Sequence, residues 1–138
     1  MTQDIVPRVD MAKVLLIDDD TKVLDFISRF LREAGHQVET FDEGNQALKR
    51  LKEDCFDLII SDVDLRDLPG MDLLKRIKEI DPPIPVILVS ASDDLRKRDQ
   101  ALTLGAFDYL LKPFELDFLL GIVQKACPNE TLKEKLRK

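Results

Sequence analysis

Four short apolar runs in this chain of 138 residues each end on a residue able to do chemistry. Asp18 and Asp19 follow Val14-Leu15-Leu16-Ile17, Asp62 follows Leu58-Ile59-Ile60-Ser61, Ser90 follows Val86-Ile87-Leu88-Val89, and Lys112 follows Tyr109-Leu110-Leu111. Carboxylates suit a hard divalent cation, a carboxylate can also be a covalent nucleophile, and a hydroxyl and an ammonium both pair with phosphoryl oxygens. The set reads as a phosphoryl-transfer site. Its members are far apart in sequence, so the fold must gather them.

The periodicity supplies a means. Each run is β-branched or leucine-rich and is followed by a helix-like stretch, the pattern of buried parallel strands alternating with helices. Val23, Phe26, Ile27, Phe30, Leu31 and Ala34 recur at helical spacing, and Gly35 closes that segment. Residues 37–41 alternate as a short strand, and a helix over about 43–52 points Ala47, Leu48 and Leu51 inward. A strand over 57–62 precedes a helix carried by Leu73, Leu74, Ile77 and Ile80, which Asp81-Pro82-Pro83 stops. A strand over 85–91 leads to a polar helix over 93–104 with few inward positions, Leu95, Ala101, Leu102 and Leu104. The last strand is 107–111, and Leu116, Leu119, Leu120, Val123 and Ala126 line the last helix.

Five β/α units with right-handed crossovers predict an α/β fold, a flavodoxin-like, doubly wound, five-stranded parallel sheet in the order 2-1-3-4-5 flanked by five helices. In such sheets ligands bind beyond the carboxyl ends of the strands. That edge is where the acids, the hydroxyl and the lysine fall.

Composition narrows the partners. One domain fits the length, and 44% apolar residues suffice for a single core. The formal charge of −6 argues against a nucleic-acid surface, which needs a concentrated basic face. Arg96-Lys97-Arg98, the densest basic run of the body, reads as a solvated helix face. Cys55 and Cys127 make no disulfide framework or zinc spacing, no signal peptide or membrane span is evident, and a cytoplasmic protein is expected. Residues 1–12 read as a leader, 13–126 as the domain, and 127–138 as a charged tail or the start of a linker.

With these motifs in order, the chain resembles the receiver domain of a two-component response regulator. The resemblance spans about residues 13–126 and rests on Val14-Leu15-Leu16-Ile17-Asp18-Asp19-Asp20, Leu58-Ile59-Ile60-Ser61-Asp62, Val86-Ile87-Leu88-Val89-Ser90-Ala91, and Gly105 through Phe114. It implies that Asp62 accepts a phosphoryl group from a sensor histidine kinase or phosphotransfer protein. It implies Mg²⁺, with Mn²⁺ as a substitute, held by Asp18, Asp19, Asp62 and the main-chain carbonyl of Asp64. Lys112 would pair with the phosphoryl oxygens, Pro113 would follow a cis peptide bond, and Ser90 and Tyr109 would form the switch. The signal would leave through the face made by residues 93–104, Tyr109 and the last helix, where many receivers form homodimers. Such a protein catalyses only its own phosphorylation and dephosphorylation. The chain reads as a stand-alone regulator or as the receiver fragment of a longer protein, a transcription factor being a common parent.

One loop departs from the pattern. The family places proline four residues after the phosphoacceptor, where this chain has Arg66, and Pro69-Gly70-Met71-Asp72 follows. An ungapped alignment keeps Gly70 at the usual glycine position. Arg66 then stands near the site entrance, where it is either a solvated side chain or an influence on phosphoryl lifetime and donor choice.

Each residue also has a bland reading. Asp18-Asp19-Asp20 can be a helix N-cap, and Asp20 is expected to be one. Ser90 can be a turn residue, Tyr109 a core residue, and His36, after a helix-ending glycine, a surface turn residue. Two other functions compete. A pseudo-receiver would bind partners without phosphorylation, although every expected site residue is present. An aspartate-nucleophile phosphohydrolase would also start on Asp18-Asp19-Asp20-Thr21, but it needs threonine or valine in place of Lys22, a cap insertion and a late acidic pair.

Overall fold

The computed structural model describes residues 11–127; residues 1–10 of the expected leader (1–12) and residues 128–138 of the expected tail (127–138) lie outside the described residues. Strands and helices alternate as β1 (Lys13–Ile17), α1 (Thr21–Glu33), β2 (Gln37–Phe41), α2 (Gly44–Glu53), β3 (Leu58–Asp62), α3 (Gly70–Ile80), β4 (Val86–Ser90), α4 (Leu95–Thr103), β5 (Asp108–Leu111) and α5 (Leu116–Ala126). The sheet is parallel throughout, in the order β2-β1-β3-β4-β5. Every residue of β3 and β4 is buried, so these central strands read as unbroken apolar runs, whereas β2 at the edge alternates.

Successive strand residues face opposite layers. Leu15, Ile17, Ile59, Val86 and Leu88 pack under α2, α3 and α4 with Leu48, Leu73, Leu74, Ile77 and Ala101. Val14, Leu16, Leu58, Ile60, Ile87 and Val89 pack under α1 and α5 with Leu24, Leu31, Leu119 and Val123. The layers are unequal. α4 buries only Ala101 completely, on the order of 1 kcal/mol of hydrophobic stabilisation. Leu95 is 71% exposed and Leu102 is 40% exposed, so neither takes the inward position expected of it.

α1 also differs in detail. Its buried stripe is Leu24, Ile27, Ser28 and Leu31, and Phe26, expected inside, is 62% exposed. Phe26 lies a turn from Val23 and Phe30, which only rim the core, and Val23 and Phe26 line a groove shared with Phe114 and Leu116 at the start of α5. At the far end of α1 Gly35, at φ 103°, lets the chain close a Schellman turn, with the N–H groups of Gly35 and His36 donating to the carbonyls of Arg32 and Leu31. That turn tucks His36 inward. Its Nδ1 accepts the N–H of Ala12 at 3.0 Å and the residue is 5% exposed, so it is not a surface turn residue.

The loop from β3 to α3 is held at both ends. Val63, Leu65 and Leu68 are buried, and the Gly70 N–H donates to Val63 O at 2.8 Å. A Cβ on Gly70 would lie 2.5 Å from Val63 Cα, so the close approach requires glycine. Between the buried leucines, the Asp67 carboxylate accepts the N–H groups of Gly44 and Asn45 at 2.9 Å each, capping α2. Glu43, at the N-cap position itself, makes no side-chain cap bond.

Burial acts to raise the Asp67 pKa, but the Asn45 and Gly44 N–H groups outweigh it and hold the carboxyl below its ordinary value. Its contribution is therefore fully present above the unfolded pKa of about 3.9 and is lost as pH falls through the lower folded value. Asp67→Ala is expected to cost about 1 kcal/mol in urea unfolding at pH 7. The gap between variant and wild type should close in the same measurement repeated in acid, below the folded pKa of Asp67.

Candidate functional site

Strand register builds the site. Ile17 pairs with Ser61, so Asp18 emerges beside Asp62. Asp62 pairs with Val89, placing Ser90 one step beyond, and Ser90 pairs with Leu111, placing Lys112 at the same edge. Parallel strands of similar length ending together bring residues 94 positions apart into contact.

Asp18, Asp19 and Asp62 each present an oxygen within 4.8 Å of the others. Asp18 and Asp62 are buried, at 4% and 8% exposure. Lys112 Nζ donates to Asp18 Oδ2 at 3.1 Å and lies 3.6 Å from Asp62 Oδ2. The other Asp18 oxygen accepts the Asp20 N–H at 2.9 Å, and Asp62 Oδ1 accepts the Asp64 N–H at 3.2 Å. Asp20 caps α1 by accepting the N–H groups of Lys22 and Val23. Its role is structural. Three hard oxygen donors at this spacing fit a divalent cation of the Mg²⁺ type, which favours a few carboxylates with water completing its shell.

The charges are strained against one another. Burial pushes the Asp62 pKa up; the Asp64 N–H opposes it, the Asp18 charge adds to it, and Lys112 relieves part of it. For Lys112, burial acts to lower the pKa, but the charge and hydrogen bond of Asp18, with Asp62 behind them, hold it above the ordinary lysine value. Lys112 is thus an ammonium locked between two carboxylates.

Ser90 is fully buried; its Oγ accepts the Ser92 N–H at 3.0 Å and its carbonyl accepts the Lys112 N–H at 2.8 Å. Tyr109 pairs with Leu88, two residues before Ser90, so Tyr109 and Ser90 share the α4 face of the sheet. The Tyr109 ring is buried, and no group among the described residues bonds its hydroxyl. The Lys112-Pro113 peptide is cis, as expected. Asp64 is exposed beside the cluster. The Arg66 side chain is 87% exposed, with its Nε 3.5 Å from Asp19 Oδ2, and its main-chain N–H donates to the same oxygen at 3.2 Å.

Two features escaped the sequence. Asp67 anchors the loop over a separation of 23 residues, for which no local signal exists. An open groove of about 710 Å³ runs beside the site between α1 and α5, lined by Val23, Phe26, Ile27, Pro113, Phe114 and Leu116, with Lys22 and Lys112 also on its wall. Its signal was the excess of apolar residues on α1.

Residues 14–124 match the family model described as the response regulator receiver domain. The chain belongs to the response regulator receiver family. Among curated relatives, the receiver is 36% identical over 120 residues to the transcriptional regulatory protein ZraR of Escherichia coli strain K12, covering 87% of this chain and 27% of that protein. It is 38% identical over 116 residues to the DNA-binding transcriptional regulator NtrC of Salmonella typhimurium, covering 84% and 25%. The chain thus spans about a quarter of the length of these relatives. Among solved structures, a receiver domain protein from Clostridium thermocellum superposes with a TM-score of 0.82 at 34% identity, over 91% of this chain and 99% of that one. NtrX from Brucella abortus superposes with a TM-score of 0.83 at 28% identity, over 92% and 29%. The sheet order and five helices are those of the receiver fold. Among the described residues, no helix is long and apolar enough to cross a membrane.

Because the folded receiver holds a proton on Asp62 more readily than the unfolded chain, ionisation of Asp62 removes stability as pH rises from about 3.9 through the raised folded value. Asp62→Asn is expected to be more stable than wild type by about 0.5–2 kcal/mol in metal-free buffer at pH 7. Urea unfolding checks this, and a less stable variant would contradict the electrostatic account.

Proposed function

We propose that this receiver is a phosphorylation-activated switch in which Asp62 takes a phosphoryl group from the phosphohistidine of a sensor histidine kinase or phosphotransfer protein. The observation that carries the reading is the convergence of Asp18, Asp19, Asp62 and Lys112 at one sheet edge. An Asp62 oxygen forms the new bond to phosphorus while the phosphorus–nitrogen bond breaks and the imidazole leaves with its electron pair. Lys112 moves from partnering carboxylates to pairing with the phosphoryl oxygens. Asp18, Asp19, Asp62 and the Asp64 carbonyl would hold Mg²⁺ or Mn²⁺, which when bound supplies positive charge for the phosphoryl oxygens and keeps Asp62 ionised.

The added charge of nearly two units draws the Ser90 hydroxyl toward the phosphoryl group and biases the Ser90 and Tyr109 arrangements on the α4 face. α4 suits that role because so little of it is buried. The α4-β5-α5 face exposes Leu95, Leu102, Phe107, Leu111 and Phe118 beside charged residues, which supports a homodimer or a downstream partner there. The receiver turns over only its own phosphoryl group, acts in the cytoplasm, and binds no nucleic acid itself. Its output runs through a partner or a further domain, in keeping with relatives described as transcriptional regulators. The apolar groove between α1 and α5 is the seat for a helix of the phosphohistidine donor, since Lys112 belongs to both groove and site.

Intact mass after exposure to a small acyl phosphate tests the reading. One phosphate is expected on wild type with Mg²⁺, and none on Asp62→Asn or with chelator. No adduct on a folded wild type would favour a phosphorylation-independent interaction module, and free phosphate released over many turnovers would favour a hydrolase. Phe26→Ala is expected to slow transfer from a phosphohistidine protein about tenfold or more, by loss of an aromatic contact that docking would bury, and to leave the acyl phosphate reaction unchanged.

A further inference from the structure

Lys112 contacts Asp18 and Asp62 but is not among the partners of Asp19; among the described residues, the cation within ion-pair range of Asp19 is Arg66. The two contacts differ in kind. The Arg66 N–H, at 3.2 Å, belongs to a backbone pinned on one side by buried Leu65 and on the other by the Asp67 cap and buried Leu68. The guanidinium, with Nε at 3.5 Å, belongs to a side chain 87% exposed that has room to swing away. Loop and side chain thus aim a positive charge at one oxygen of the carboxylate cluster while leaving that charge free to retreat.

We propose that Arg66 is a built-in competitor of the divalent cation at Asp19, a residue that sets how much free Mg²⁺ the receiver needs before it can be phosphorylated. The proposal rests on the metal-dependent reading above. Both cations seek Asp19, and a divalent ion arriving there meets the guanidinium a few ångströms away. In water at physiological salt, that like-charge repulsion amounts to about a three- to tenfold loss of affinity. The main-chain N–H is compatible with the bound cation, because it needs only one lone pair of the carboxylate, so the guanidinium alone must yield. The consequence is a higher midpoint for Mg²⁺ binding. Phosphorylation responds to free Mg²⁺ over the range in which Arg66 and the cation exchange places.

Mg²⁺ titrations of wild type, Arg66→Ala and Arg66→Glu, followed by calorimetry or by amide NMR shifts without a phosphoryl donor, decide the matter. Arg66 is exposed, and thermal unfolding of each variant confirms that the fold is kept. Arg66→Ala is expected to bind Mg²⁺ about three- to tenfold more tightly and Arg66→Glu more tightly still, with the differences shrinking toward 1 M salt, where the Debye length is about 3 Å. Equal affinity within twofold, or weaker binding by Arg66→Ala, would overturn the proposal and leave the metal-dependent switch standing. Absence of Mg²⁺ binding in all three proteins would remove the metal reading and this inference with it.

Discussion

Three carboxylates within 4.8 Å of one another at the carboxyl edge of a parallel sheet repel, and the surrounding structure is organised to hold them there. A buried charge without a partner costs several kcal/mol. Lys112 answers for Asp18 and Asp62 from one side, the Asp20 and Asp64 N–H groups donate to the same two carboxylates, and Arg66 answers for Asp19 from outside. Burial first, and the Asp18 charge after it, still hold the Asp62 pKa above its ordinary value. Three carboxylate oxygens gathered at that spacing fit a divalent cation.

The stability that tolerates this strain comes from elsewhere. β3 and β4 are buried along their whole length, and α1, α2, α3 and α5 each bury several residues against the sheet. Those layers keep the strand ends in register, so the acids cannot relax apart. α4 is the exception. It buries only Ala101, and it covers the sheet face shared by Ser90 and Tyr109, so it is the layer held to the sheet by the least buried surface.

The loop after Asp62 shows how a departure from a family pattern can be accommodated. Where the family has proline to stiffen the chain, this receiver has Arg66, and rigidity comes from three other sources. Buried Leu65 and Leu68 anchor the loop, Asp67 caps α2, and Gly70 lies against Val63 where no Cβ would fit. The loop is therefore ordered by contacts to two helices. Its tip is left to present a cation to the site.

Periodicity is a local property, so the elements, their order and the sheet class were legible in the chain itself. So was the alignment of Asp18, Asp62, Ser90 and Lys112 at strand ends, because equal short strands in a parallel sheet must finish at one edge. What tertiary structure decided are the contacts whose partners no local pattern names. Which acid Lys112 reaches across 94 residues, Arg66 meeting Asp19 across 47, and Asp67 capping α2 across 23 depend on loop paths over packed layers. The same holds for side chains whose hydrophobicity left two faces open. Phe26 lines a groove and His36 packs under Ala12, placements that depend on neighbours far along the chain. A helical period marks an apolar face, but only packing decides how wide that face needs to be.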